Sequence, residues 1–178
     1  IDQCLVGSEM CIRDRAGGKS TRMGEDKALL FDSVNTLTDI LASRDCRVIV
    51  ACGGEERAAL FHAECWFDPD DSTSLGEVVH AFVQQHDEEI QLFPCDMYKL
   101  DKEAIEVILT QPAGVPIDMY GQEQYTLARV PQGCILPTSK SLKHLFSELD
   151  RNHMGSLGDR LENFNSPNQI EPQNKSNR

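Results

Sequence analysis

The chain has no excess of positive charge, no zinc signature and no membrane span. Its 17 Lys and Arg face 29 Asp and Glu, for a formal net charge of −12. A duplex DNA or RNA binder would show a basic face instead, so nucleic acid is not an expected partner. Seven cysteines form no CxxC pair, and their number is odd. Three of them, Cys46, Cys52 and Cys65, lie in or beside apolar runs, where a reduced thiol packs as a small hydrophobe. The five histidines show no metal-ligand spacing, and His80 and His144 fall within helical patterns as surface or partly packed residues. Neither a Ser-His-Asp nor a Cys-His arrangement stands out. No apolar run approaches the ~20 residues needed to cross a bilayer. Residues 1–15 lack the basic start and apolar block of a secretory signal. A cytoplasmic protein is expected, with no membrane partner.

What is present is a regular alternation. CRVIVACGG (46–54) reads as a buried strand ending in a glycine turn, and EIQLFPCD (89–96) as a strand stopped by Pro94. Helical spacing appears in 55–64, in 74–88 (Leu75, Val78, Val79, Phe82), in 100–111 and in 139–150. Segments 115–120 and 124–130 look like a pair of strands, and the polar tail 170–178 is expected to fray. Strand–helix–strand order implies an α/β domain with a mostly parallel central sheet and helices on both faces. No internal repeat or linker divides residues 16–169.

A Gly-rich stretch, AGGKSTRMGEDKALL (16–30), carries the densest chemistry. It contains GKS, but the phosphate loop G-x-x-x-x-G-K-[ST] would need a glycine at 13, where Arg13 stands. Gly17 and Gly18 can turn tightly and present N–H groups to phosphate oxygens. Ser20 and Thr21 add hydroxyls, Arg22 a planar fork for pyrophosphate, and Lys27 a point charge. A solvated glycine turn with incidental charge is the alternative.

The stretch resembles the signature of nucleotidyltransferases, AGG-x-S-x-RMG-x-DKALL, and most closely that of the molybdenum cofactor guanylyltransferases. The resemblance runs more weakly along most of residues 16–169. It implies a three-layer Rossmann-like nucleotidyltransferase fold and Mg²⁺-dependent transfer of GMP from GTP to the phosphate of molybdopterin. It also implies transient contact with molybdoenzyme maturation proteins. Ala16, Gly17, Gly18 and Ser20 would bind the nucleotide, with Arg22 on the leaving pyrophosphate and Lys27 near the α-phosphate.

Three further segments fit that pattern with departures. In LFPCDMYKL (92–100), Asp96 follows a strand end and would hold Mg²⁺, although Met97 and Tyr98 replace a small residue and proline; a helix-capping role is the alternative. In ECWFDPDDSTSLGEV (64–78), Asp68 would help place the nucleoside and Gly76 fits the family's last turn glycine. Ser72, Thr73 and Ser74 stand where Gly-Pro-Leu is usual, and an acidic loop capping the next helix is the alternative. In ENFNSPNQI (162–170), Asn163 and Asn165 would contact the acceptor without adding negative charge, against a plain strand-to-turn junction. A cytidylyl- or sugar-phosphate nucleotidyltransferase, or a non-catalytic nucleotide-binding relative, would carry the same scaffold.

The segment before Ala16 does not fit. CIRDR would place Arg13, Asp14 and Arg15 at the end of a central strand, where unpaired burial is costly. CLVGSEMCIRDR also resembles a translated sequencing adapter. Residues 1–15 are therefore expected to be a non-native segment standing before the domain.

Overall fold

The computed structural model describes the side chains of residues 32–44, 46–95, 97 and 99–161, and the backbone of 8–13. Its main sheet has five strands in the order β3-β2-β1-β4-β6: β1 (Ser8–Arg13), β2 (Arg47–Gly53), β3 (Glu64–Phe67), β4 (Glu89–Pro94) and β6 (Arg129–Val130). The first four are parallel, and β6 joins β4 antiparallel at the edge. A second sheet pairs β5 (Val115–Ile117) in parallel with β7 (Arg151–His153). Among the described residues four α-helices accompany them: α1 (Ser33–Ala42), α2 (Leu75–Gln85), α3 (Lys102–Thr110) and α4 (Leu142–Leu145).

Strand periodicity divides the core. Val48, Val50 and Cys52 of β2 join one buried cluster with Leu37 and Leu41 of α1 and Ile105 of α3. The alternate residues Ile49 and Ala51 join another with Phe82 of α2, Leu145 of α4 and Ile90 of β4. Successive strand side chains point to opposite faces, so the two clusters take alternate residues of β2. Completely buried residues such as Phe82, Phe93 and Ile105 each contribute about 1.5–3 kcal/mol on leaving water.

The helix starts follow local chemistry. Ser74 caps α2 by accepting from Glu77 N–H at 3.3 Å, while Glu77 Oε2 accepts from Thr73 N–H at 2.8 Å and Thr73 Oγ1 at 2.9 Å. The altered 72–74 turn is thus a working cap, and the capping role foreseen for that loop is present. Asp101 caps α3 through Ala104 N–H at 2.8 Å, so the cap of that helix is not Asp96.

Several expected elements are shorter or paired differently. Residues 55–64 form a two-turn 3₁₀ segment, Glu55–Leu60, and Glu64 already pairs opposite Ile49 in the β2–β3 ladder. The helix over 139–150 contracts to Leu142–Leu145, and the carbonyl of Phe146 is taken by Arg151 Nη1 at 3.0 Å. Segments 115–120 and 124–130 do not form a ladder with each other. Val115–Ile117 pairs with β7, whereas a 3₁₀ turn at Tyr125–Leu127 leads into β6 beside β4; between the two segments run isolated bridges and a hydrogen bond from Gln124 N–H to the Pro116 carbonyl at 2.8 Å. No described helix is long and apolar enough to cross a membrane.

Candidate active site

The order β3-β2-β1-β4 makes the sheet reverse its direction of growth between β1 and β4. Open parallel sheets bind ligands outside the carboxyl ends of the strands at such a reversal. Arg13, the last residue of β1, pairs with Pro94, the last residue of β4. The Gly-rich stretch begins three residues after Arg13, and Asp96 lies two residues after Pro94. Both sequence motifs therefore leave the sheet from adjacent strands at one edge.

Described groups build the surroundings of that edge. Ser33 Oγ at the start of α1 donates to the carbonyl of Cys95 at 3.4 Å, tying the helix to the loop that follows β4. Met97 is buried in the α1–α3 cluster, so the residue that departs from the expected small one serves as an apolar anchor. Beside it a cavity of about 200 Å³ is lined by Ser33, Thr36, Ile40, Pro94, Met97 and Leu100 among others. Asn35, also buried, accepts from His62 N–H at 3.1 Å and donates to the Leu60 carbonyl at 3.2 Å, which holds α1 against the β2–β3 connection.

Asp68 is the one predicted site residue among the described side chains. It follows β3, and its N–H donates to the Gly53 carbonyl at 3.0 Å, placing it at the carboxyl ends of β2 and β3 on the same sheet edge. Gly53 sits at φ +84°, the left-handed turn expected of glycine there. Ala16, Gly17, Gly18, Ser20, Arg22, Lys27, Asp96, Asn163 and Asn165 lie outside the described residues. Gly76 is explained by packing: a Cβ there would stand 2.3 Å from the Ser139 carbonyl oxygen and 2.7 Å from the Lys140 carbonyl carbon.

The buried Cys52 thiol is not a nucleophile. Burial, with Cys65 as neighbour, pushes the Cys52 pKa up to about 12, so the thiol is protonated at neutral pH. Cys46, Cys65 and Cys95 pack against the same cluster, the apolar role expected of Cys46, Cys52 and Cys65. Among the described residues no group of three or more His, Cys, Asp or Glu could hold a metal ion. The described carboxylate at this edge is Asp68, with one oxygen buried; carboxylate oxygen suits a hard cation such as Mg²⁺ better than zinc.

Sequence reasoning missed the charged groups that tie the 95–103 region to the 3₁₀ segment Gly155–Leu161. Lys99 Nζ donates to Asp159 Oδ2 at 2.7 Å, and Arg160 reaches Glu103 at 3.1 Å and Asp101 at 3.6 Å. Asp101 before an apolar helical run carries a cap signal, but nothing local announces a partner almost 60 residues away.

Comparison with known proteins agrees with this architecture. No curated protein matches the chain. A solved protein of Aquifex aeolicus VF5, Aq1419, is similar at 15% identity and a TM-score of 0.65, over 91% of this chain and 95% of that one. The structure of a 4-diphosphocytidyl-2C-methyl-D-erythritol synthase is similar at 13% identity and a TM-score of 0.55, over 92% and 95% of the two chains. At such identities the likeness is one of fold. The MobA-like NTP transferase domain matches residues 16–144, from the Gly-rich stretch through α4. The chain belongs to the MobA-like NTP transferase domain family and is a nucleotidyltransferase.

Proposed function

We propose that the protein transfers GMP from GTP to the phosphate of molybdopterin. The observation that carries this reading is the complete AGG-x-S-x-RMG-x-DKALL motif at residues 16–30, at the start of the family match over residues 16–144. An acceptor phosphate oxygen attacks the α-phosphorus of GTP, a new P–O–P linkage forms, and the bond to the β-phosphate breaks with its electrons leaving on pyrophosphate. Both reactants are anions, so the task is positioning and charge neutralisation. N–H groups of Gly17 and Gly18 cradle phosphate, with Ala16 and Ser20 beside them. Arg22 stabilises the departing pyrophosphate, and Lys27 neutralises the α-phosphate region. Asp68 helps place the nucleoside, while Asn163 and Asn165 contact the acceptor. Asp96 would hold Mg²⁺, which supplies Lewis-acid polarisation of donor oxygens when bound.

The same proposal includes the three-layer Rossmann-like arrangement, a cytoplasmic location and transient contact with molybdoenzyme maturation proteins. Residues 1–15 are read as non-native sequence in the position of the first strand. The family match starting at Ala16 supports this, as do Glu9 and Arg13 in a strand whose neighbours β2 and β4 are almost wholly buried.

The test is a transfer assay with α-labelled GTP, Mg²⁺ and molybdopterin, run beside CTP, ATP and UTP. Labelled GMP transfer with pyrophosphate release is expected from GTP. Faster transfer from CTP would replace this reading by the second one, a cytidylyltransferase, which the fold of the diphosphocytidyl-methylerythritol synthase supports. No transfer from any nucleotide, with binding retained, would indicate a non-catalytic relative.

A further inference from the structure

The geometry points to Met119 and Tyr120, at the apex of the turn after β5, as the surface that takes the pterin ring of the acceptor, with Tyr120 stacked on its planar part and Met119 against its edge. This inference rests on the reading above, in which molybdopterin is the acceptor.

Strand register carries this turn to the edge to which the reaction is assigned. β6 is antiparallel to β4, and Gly114 bridges Arg129 of β6 in the antiparallel sense, with N–H···O bonds of 2.8 Å in both directions. β5 therefore runs the same way as β4. Gln91, Arg129 and Gly114 stand in one row, so Ile117, three residues past Gly114, is level with Pro94, three residues past Gln91. Neighbouring strands lie about 4.8 Å apart, which puts β5 about 10 Å from β4. The turn at 118–123 thus leaves the sheet beside the carboxyl end of β4. Asp68 stands on the opposite flank, after β3. With the donor nucleoside assigned to that flank, the β5 flank is left for the acceptor.

The turn is built to hold its apex still. Asp118 Oδ1 accepts from the N–H groups of Tyr120 at 2.9 Å and Gln122 at 2.8 Å, and its Oδ2 accepts from Gln124 Nε2 at 2.8 Å. Gly121 supplies the left-handed residue the bend needs, at φ +80°. At the foot of the turn Glu123 accepts from Arg151 Nε at 2.5 Å and from the Tyr125 hydroxyl, and Arg151 Nη1 donates to the Phe146 carbonyl at 3.0 Å. The polar groups of the turn satisfy one another, while its two large apolar side chains face water: Met119 is 52% exposed and Tyr120 63%. A ring with two torsions on a braced backbone loses little freedom when it meets a ligand. The methionine sulfur adds a favourable contact at a ring edge. Neither side chain brings negative charge to two reactants that are already anions.

The experiment measures KM for molybdopterin, KM for GTP–Mg²⁺ and kcat in the full chain and in Y120A, Y120F, M119A and I135A, with melting curves for each. Y120A is expected to raise the acceptor KM about tenfold, the scale for one aromatic ring stacked on a heterocycle, with the GTP KM within about twofold. Y120F keeps the ring and should stay near the parent, and M119A should raise the acceptor KM about threefold. I135A removes another exposed apolar side chain and should change neither KM. If the parent transfers GMP to molybdopterin while Y120A leaves the acceptor KM unchanged, the inference is overturned and the reading beneath it stands. Y120F losing as much as Y120A would overturn stacking in favour of a hydroxyl contact. Equal rises in both KM values with a lower melting temperature would overturn it in favour of a structural role. A parent that transfers nothing to molybdopterin would end the reading and the inference with it.

Discussion

The two ends of β4 are stabilised in different ways. At its amino half, Gln91 is buried and pairs across the ladder with Arg129 of β6. Arg129 donates to Gln91 Oε1 at 3.2 Å and to the carbonyls of Leu109 and Gln111 at 2.8 and 2.9 Å, closing the end of α3. Gln91 in turn donates to the carbonyls of Leu92 and Leu127. At the carboxyl end the chain passes Pro94 into a loop held by a helix-end hydroxyl, one buried methionine and exposed ion pairs. The first arrangement is satisfied internally, and removing one member strands the others. The second leaves polar groups at the edge available to a ligand. In the proposed function, stability and chemistry are thus concentrated at opposite ends of the same strand.

If that division is right, the carboxyl edge should govern rate with little effect on folding. Lys27→Ala and Arg22→Ala are each expected to lower nucleotidyl transfer by about 10²–10³, the size for removing a partner of transition-state charge. Their urea midpoints should match the parent's. Transfer within threefold of the parental rate in either variant would remove that residue from the site, and a large loss of stability would blur the contrast between the two ends.

The amino end should do the reverse. Arg129→Met keeps an unbranched stem but leaves the Leu109 and Gln111 carbonyls and Gln91 Oε1 without their donor. We expect a loss of about 3 kcal/mol in urea unfolding, since buried acceptors stranded by a mutation bear their full desolvation cost. Arg129→Met combined with Gln91→Leu should recover part of it, because replacing both partners is less costly than replacing one. An unchanged midpoint for Arg129→Met would show that this network contributes nothing. The remaining folded protein should bind GTP as before.

The same contrast explains what could be read from sequence. Parallel strands buried on both faces give unbroken apolar runs, so 46–54 and 89–96 were legible, as were α2 and α3 from their apolar spacing. The helix α1 was not, although Val34, Leu37 and Leu41 have helical spacing, because polar Asn35 and Thr38 share its buried face. β7 is three residues of polar sequence, RNH, whose strand character comes entirely from β5. The Arg129 network and the Lys99–Asp159 pair join residues 18 to 60 positions apart, and no local pattern encodes them. For the site, Asp68 reaches the expected sheet edge, and the Gly76 requirement follows from a backbone contact with Ser139 that only the fold brings about.

The smallest expected effect lies at the α2 cap, also on the carboxyl side. Glu77 has its pKa lowered from the ordinary 4.5, first by the Thr73 N–H, then by the Thr73 hydroxyl, with smaller help from Ser74 and Lys140. Lys140 Nζ is 3.9 Å from Glu77 Oε1, a distant and exposed partner. A carboxyl whose folded pKa is depressed contributes stability that is full above its unfolded pKa and lost as pH falls through the folded one. Glu77→Gln keeps an acceptor for Thr73 and removes only the charge. The parent should therefore melt slightly above Glu77→Gln at pH 7, and the gap should close below pH 4.5, as Glu77 becomes protonated in the folded state. Added salt should shrink the Lys140 part of the gap and leave the Thr73 part, because the screened pair is the exposed one. A gap that stays constant across that acid range would assign the effect to the shape of the turn and not to the charge. A gap rivalling that of Arg129→Met would mean that the carboxyl edge is as firmly built as the amino end, and the division between them would have to be given up.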